Sequence, residues 1–490
     1  MQDKTDFYER LGVPVNATAE EIHRAYREAA RRFHPDVNIG AGATELFLDV
    51  KEAYEILITP ESRASYDKDD QPIKKNTQPV RIDIQYSRTA IHHSKEQQLL
   101  YTLLDIDILP DPTHVDDSAP PVNISLILDT STSMRGARLD VLKATAIEFV
   151  RNLRIQDTVS IISFNDNADI VFPAGSQTSA RKAEGRIHAL HASGGTEILK
   201  GLQAGYNEVL CNYRPSNTNH IILITDGHTY GDEIACQKLA DDAATKDIGL
   251  SSLGIGGKWN DVLLDDLATR TGGDCLYVHK PKDIGKMLTK KLTRLHKAYA
   301  ERLCLEFECG QNISLDYAFR LKPEAGVLPI DSPFKLGSLS KSGQQHILLE
   351  FVVDPILPGV KKVLLINGKL SFNLPSSSAS YQIPIVLTRA VQPQEDQLKP
   401  PGHISKALSK LTLYRMQEQA NKDIAEGDFI EASTRLKNVA THLLSQGESD
   451  LAQTVLAEAE QIKSSQNLSE EGKKRIKYGT RSLLLPAGNE

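Results

Sequence analysis

At 490 residues the chain is too long for one ordinary domain; at roughly 100–200 residues each, three or four are expected. A composition of 40% hydrophobic and 25% charged residues is that of a water-soluble globular protein. The net charge of −7, with no domain-scale basic surface, argues against nucleic-acid binding by bulk electrostatics.

The first ten residues, "MQDKTDFYER", lack the apolar core of a secretory leader. No apolar run approaches the ~20 residues needed to span a bilayer. Five cysteines (Cys211, Cys236, Cys275, Cys304, Cys309) contain no C-x-x-C pair. Buried free thiols in a reducing compartment are therefore expected, rather than disulfides or a zinc site. The expected protein is cytoplasmic, with no membrane insertion and no nucleic-acid partner.

Thr18 is placed to cap a helix, with Glu21 completing a capping box. Ile22, Tyr26, Ala29 and Phe33 then recur at helical spacing, while Arg24, Arg27, Arg31 and Arg32 occupy other faces. Pro35 disfavours helix in the residue before it, so the helix should stop near Phe33. A glycine-bearing loop leads to a second amphipathic helix with Phe47, Val50, Tyr54 and Leu57 on one face, and "TPESRASYD" supplies a short third.

Residues 5–67 resemble the J-domain of the DnaJ co-chaperones in the order "DFYERLGV", "AYREAARRFHPDVN", "FLDVKEAYEIL", "SRASYD". The resemblance implies that His34, Pro35 and Asp36 trigger hydrolysis by a DnaK-class ATPase. It also implies that Arg24, Arg27, Arg31 and Arg32 dock on an acidic surface of that partner. No glycine/phenylalanine-rich segment and no cysteine-rich zinc module follows. Client selection is thus expected to fall to the other domains.

Residues 69–79 read as a polar linker after a J-domain of 1–68. "VRIDIQYS" and "LYTLLDIDIL" alternate as strands. Across 119–299, strand and helix alternate, which argues a doubly wound, mainly parallel, Rossmann-like α/β sheet. Three of its loops carry small oxygen-bearing residues: Asp129, Ser131 and Ser133 in "DTSTS", Thr196 in "GGT", and Asp226 in "ITDG". Two carboxylates and three hydroxyls form a hard-oxygen set suited to Mg2+ or Ca2+.

The pattern resembles the von Willebrand factor A domain and its metal-ion-dependent adhesion site. The resemblance implies Mg2+ (or Ca2+ or Mn2+) held at Asp129, Ser131, Ser133, Thr196 and Asp226, with a client carboxylate completing the shell. His228 beside Asp226 is the one residue to weigh as a base, yet neither a G-x-S-x-G elbow nor a P-loop is present. No enzyme activity is expected.

Residues 300–391 alternate as antiparallel strands and are expected to join 80–118 in a β-sandwich, with the α/β domain inserted between its halves. From 402 to 486 helical periodicity returns, with Gly427 and Gly447 as stops; the hairpins resemble tetratricopeptide helices. They would serve peptide binding, domain packing or oligomerisation. The sequence reads as a J-domain co-chaperone adaptor that selects a protein client through a metal-dependent A domain. The alternative is an A-domain subunit of a MoxR-type AAA ATPase or a signalling assembly, with the J-domain aiding assembly. A metal-dependent hydrolase is the distant third.

Overall fold

A computed structural model describes residues 17–33, 79–109, 120–176, 180–229, 231–340, 343–374, 379–394 and 400–483, with 11, 13, 50, 51, 53, 54 and 57–59. The chain divides into two compact units, Met1–Pro79 and Val80–Glu490.

In the first unit, helix α1 spans Ala19–Phe33 and ends where Pro35 requires. Its start is the reciprocal capping box: the Thr18 N–H donates to Glu21 Oε2 at 2.7 Å, and the Glu21 N–H donates to Thr18 Oγ1 at 3.3 Å. Ile22 packs with Val50, Ala53 and Leu57, which lie on the next helical segment. The rings of Tyr26 and Tyr54 stack at 4.1 Å. Residues 34–49 and the proposed third helix lie outside the described residues.

The second unit begins with β1 (Val80–Tyr86), β2 (Ala90–His92) and β3 (Gln98–Ile108). The α/β domain follows as β4 (Val122–Asp129), α2 (Ala137–Arg151), β5 (Thr158–Phe164), β6 (Ala168–Ser176), α3 (Ala180–His188) and α4 (Ile198–Cys211). It continues with β7 (Thr218–Thr225), α5 (Glu233–Thr245), β8 (Gly249–Ile255), α6 (Asp261–Arg270), β9 (Cys275–Val278) and α7 (Ile284–His296). The sheet order is β6-β5-β4-β7-β8-β9. All pairs are parallel except the edge strand β6.

Both faces of this sheet are covered. Ile124, Leu126 and Leu128 face a core with α2, α3 and α7. Ile127 and Ile162 face another with α4, α5 and α6. That is why β4 and β7 read as continuous apolar runs rather than alternating ones.

The chain returns through β10 (Ala298–Cys309), β11 (Ile313–Lys322), β12 (Gly326–Leu328), β13 (Phe334–Ser340), β14 (Gln344–Val353), β15 (Lys362–Leu374) and β16 (Ala379–Gln392). Two five-stranded sheets result, β1-β3-β14-β11-β12 and β13-β10-β15-β16-β2. Both contain strands from either side of the α/β domain, and one core joins them. Alternation sorts the side chains: Leu104, Ala318 and Ile347 face the sandwich core, while Leu103, Phe319 and Leu348 face outward.

That outward face is covered by α8 (Gly402–Glu426), through Ile404, Leu411 and Tyr414. Helices α9 (Phe429–Ser445), α10 (Ser449–Ser465) and α11 (Glu470–Leu483) complete a C-terminal bundle. Gly427 caps α8 with φ at +89°, a conformation glycine adopts without strain. All five cysteines are free; Cys236, Cys275 and Cys304 are buried, but Cys211 and Cys309 are exposed, contrary to expectation. Both exposed thiols fall on the last residue of an element, where coverage by neighbours ends.

The basic run of α11 turns inward. Lys477 Nζ lies 2.5 Å from Asp261 and 2.8 Å from Asp265, and the Arg481 guanidinium grips both Asp265 oxygens at 2.8 and 3.1 Å. Tyr478 lies against Trp259 and Tyr277, with centroids 5.6 and 5.7 Å away. Burial opposes the charge of Asp265, but Arg481 and Lys477 outweigh it and hold its carboxyl below the usual carboxylate range. Asp265→Ala should therefore cost about 3 kcal/mol, because buried Arg481 loses its carboxylate and Lys477 keeps only Asp261. Urea unfolding of the full chain followed by tryptophan fluorescence measures it, since Trp259 is the sole tryptophan and lies in this contact. A loss below about 0.5 kcal/mol, the size of an ordinary surface substitution, would show that this contact does not hold the helix.

Candidate functional site

The carboxyl edge of the parallel sheet gathers the oxygen-bearing residues singled out in the sequence. The chain leaves β4 toward β5 on one side and later places β7 on the other, so the edge between β4 and β7 is the topological switch point. Asp129 ends β4 and Asp226 follows β7 directly.

The loop after β4 is closely tied. Met134, fully buried, anchors a short 3-10 turn, Thr132–Met134, and Gly136 (φ +84°) opens α2. The Thr130 N–H donates to Phe164 O at 2.8 Å. The Ser193 N–H donates to Thr130 O at 2.9 Å, and the Thr132 hydroxyl donates to Gly194 O at 2.8 Å. These bonds strap the "DTSTS" loop to the "GGT" loop. Gly194 (φ +73°) and Gly195 also let this loop close on the turn between β5 and β6, since a Cβ on either would collide with the Asp166 carboxylate.

Within the site, Asp129 Oδ1 accepts from the Ser131 N–H at 2.8 Å and Oδ2 accepts from the Thr225 hydroxyl at 2.5 Å. Ser131 Oγ and Ser133 Oγ are 2.9 Å apart, and Ser133 donates to Asp226 Oδ1 at 2.5 Å. Asp226 Oδ2 accepts from Arg138 Nη1 at 2.5 Å. Thr196 packs against the backbone beside Asp226, its Oγ1 2.7 Å from where a Cβ on Gly227 would stand. Ser131 precedes the 3-10 turn without capping it; its hydroxyl points to Ser133 instead.

Asp129, Ser131, Ser133 and Asp226 are thus linked in one chain of contacts, with Thr196 beside it. Thr225 and Arg138 were missed in the sequence. Thr225 precedes the last aspartate in "ITDG", and Arg138 sits in "MRGAR", where it reads as an ordinary helix-surface cation.

The arrangement fits a hard divalent cation. Asp129 is fully buried, and burial raises its pKa to about 6 against the opposing bonds from Ser131 and Thr225. Among the described residues no basic side chain forms an ion pair with Asp129, and a buried carboxylate without one is costly. Asp226 is equally buried, while Ser133 is exposed, so the oxygen set opens to solvent on one side. His228 stands half-buried at the rim, its pKa lowered by burial and by Lys474.

On the first unit, Arg24 and Arg27 are exposed on α1. The side chains of Arg31 and Arg32, and all of His34, Pro35 and Asp36, lie outside the described residues.

A doubly wound sheet with this oxygen set at its switch point is a von Willebrand factor A fold, and the von Willebrand factor type A domain model matches residues 123–290. The DnaJ domain model matches 6–67, and the Sll0103-like, C-terminal alpha-helical domain model matches 402–486. The chain is a fusion of a DnaJ domain with a von Willebrand factor A domain and a C-terminal helical domain.

An uncharacterized protein of Synechocystis sp., sll0103, is 26% identical over 381 residues, which is 76% of this chain and 90% of that protein. The chaperone protein DnaJ of Brevibacillus choshinensis is 55% identical over 65 residues, 13% of this chain; the match spans 17% of that chaperone's length. A solved von Willebrand factor type A structure from Catenulispora acidiphila has a TM-score of 0.64 at 14% identity, covering 82% of this chain and 96% of its own, a likeness of fold. Among the described residues no helix is long and apolar enough to cross a membrane.

If the oxygen set holds a divalent cation, Mg2+ should stabilise the folded chain by mass action, by about 2.7 kcal/mol at a hundredfold excess over Kd. Asp129→Ala should abolish the shift in a thermal melt. A melt of that variant with the wild-type Mg2+ response would place the effect elsewhere.

Proposed function

We propose that this protein is a non-enzymatic J-domain co-chaperone adaptor of the cytoplasm, which delivers a particular protein client to a DnaK-class ATPase. The observation that carries the reading is the pairing, in one chain, of an HPD tripeptide inside the matched DnaJ domain with an assembled oxygen site on the A domain.

His34, Pro35 and Asp36 would engage the ATPase. Arg24, Arg27, Arg31 and Arg32 would steer the basic helix onto its acidic surface. The linker of 69–79 would let the J-domain of 1–68 act apart from the α/β domain of 119–299.

Asp129, Ser131, Ser133, Thr196 and Asp226 would hold Mg2+, or Ca2+ or Mn2+, at the client-facing rim. The bound cation supplies an open coordination position for a carboxylate of the client. The chain's own residues do the rest: buried Asp129 and Asp226 provide the charge, and Ser131, Ser133 and Thr196 provide neutral oxygens. The straps through Thr130, Thr132 and Ser193 hold the loops in place without further rearrangement. The β-sandwich (80–118 with 300–391) would hold the α/β domain from the opposite edge, and the helices of 402–486 would flank the rim.

Two separable activities follow. Asp36→Asn should reduce stimulation of a DnaK ATPase at least tenfold while client capture persists. Ser131→Ala should reduce capture at least tenfold, as should EDTA, while stimulation persists. Pull-down from the native cell, paired with single-turnover ATPase assays on the same preparations, measures both. Full stimulation by Asp36→Asn would defeat the J-domain reading. Capture unaffected by both Ser131→Ala and EDTA would defeat the metal-rim reading.

A further inference from the structure

The two buried carboxylates of the oxygen site are treated differently by the fold. Among the described residues, Asp129 is bonded by amide and hydroxyl donors alone. Asp226 carries an ion pair: Arg138 Nη1 lies 2.5 Å from its Oδ2, and the same nitrogen lies 3.4 Å from Ser133 O. With Ser133 on Oδ1 and Arg138 on Oδ2, both oxygens of Asp226 are engaged within the protein.

The position of Arg138 makes this pairing unusual. It occupies the first turn of α2, directly after Gly136 and Ala137. The positive end of a helix dipole favours acidic residues there and disfavours a cation. The arginine is also not locked by burial, since its side chain is 41% exposed while that of Asp226 is fully buried. Its other terminal nitrogen reaches the turn after β8, 3.4 Å from where a Cβ on Gly256 would stand. One long, solvent-accessible cation thus spans from Asp226 to the neighbouring loop, with room to swing outward from the rim.

We propose that Arg138 is a built-in counter-cation that competes with the divalent cation for Asp226 and thereby sets the affinity of the site. This rests on the metal reading given above. With Arg138 seated, Asp226 is neutralised and its Oδ2 is occupied. A divalent cation entering among Asp129, Ser131 and Ser133 would meet a like charge close by, weakly screened among buried groups. Binding then requires the guanidinium to leave Asp226, so the intrinsic affinity is reduced by the cost of that exchange. The site would load only above a threshold of free cation, and the client-binding rim would respond to cation concentration rather than hold metal permanently.

The test measures affinity directly, with Mn2+ as the probe and the free ion followed by electron paramagnetic resonance in titrations of the full-length chain. Arg138→Gln should bind Mn2+ at least tenfold more tightly than wild type. Arg138→Lys, which keeps the charge on a shorter reach without the planar fork, should fall between the two. An arginine that merely orients Asp226 predicts the opposite sign, because its loss would weaken binding. Asp129→Ala serves as the reference for the site itself. If wild type binds, Asp129→Ala does not, and Arg138→Gln binds no more tightly than wild type, the competition is overturned and the metal reading stands. If neither wild type nor Arg138→Gln binds Mn2+, both are overturned.

Discussion

A carboxylate that no basic side chain among the described residues pairs, carried to the end of a strand buried over its whole length, is the constraint around which this domain is organised. All eight residues of β4 are buried, and the last is Asp129. A dry charge is tolerated only where polar groups surround it. The structure answers with the Ser131 amide, the Thr225 hydroxyl and a loop pinned to its neighbours at Thr130, Thr132 and Ser193. The same bonds that satisfy the carboxylate and its loop bring the oxygens of other segments to it. The gathering of these oxygens is thus a by-product of satisfying the backbone and the buried charge.

The rest of the second unit holds that edge of the sheet in place. The sandwich meets the opposite, amino-terminal side of the α/β domain through buried polar contacts. The Thr218 hydroxyl donates to Glu301, and Arg320 Nη2 donates to Gly273 O at 2.7 Å. Beside them, within the α/β domain, Asp274 is clasped by Lys291 at 2.8 Å and Arg294 at 3.2 Å, and Arg294 reaches Glu324 of the sandwich at 3.1 Å. On the other flank α8 seals the outward face of one sandwich sheet, while α11 locks onto α6 beside the rim. Lys474, almost fully buried, donates to Gly257 O at 2.7 Å and stands over the Trp259 ring. The C-terminal helices therefore pack within the unit, on the sandwich and the α/β domain together.

Much of the local structure was legible because it depends on neighbours in sequence. The capping box at Thr18 and Glu21, the stop of α1 near Phe33 and the glycine end of α8 follow from backbone geometry over a few residues. The buried side of α2, Leu139, Leu142, Ala146, Phe149 and Val150, follows from helical period. The residues of the oxygen site could be picked out because each lies at the end of a buried strand, just beyond one, or after a glycine turn. The basic ending of α11 could not be read that way. A run of Lys and Arg looks the same whether it faces water or a pair of aspartates, and Asp261 and Asp265 are more than 200 residues away in sequence.

By itself, then, the sequence determined the element types, the order of the domains and the candidate ligands, because periodicity, caps and strand-end motifs act over short distances. Tertiary structure alone decided which carboxylate of the site is neutralised internally, which sandwich sheet α8 covers, and where the charges of α11 are used. Each of those outcomes depends on a partner brought close by folding rather than by the chain. Arg138 is the clearest instance: 88 residues separate it from Asp226, and only the adjacency of β4 and β7 brings them within 2.5 Å.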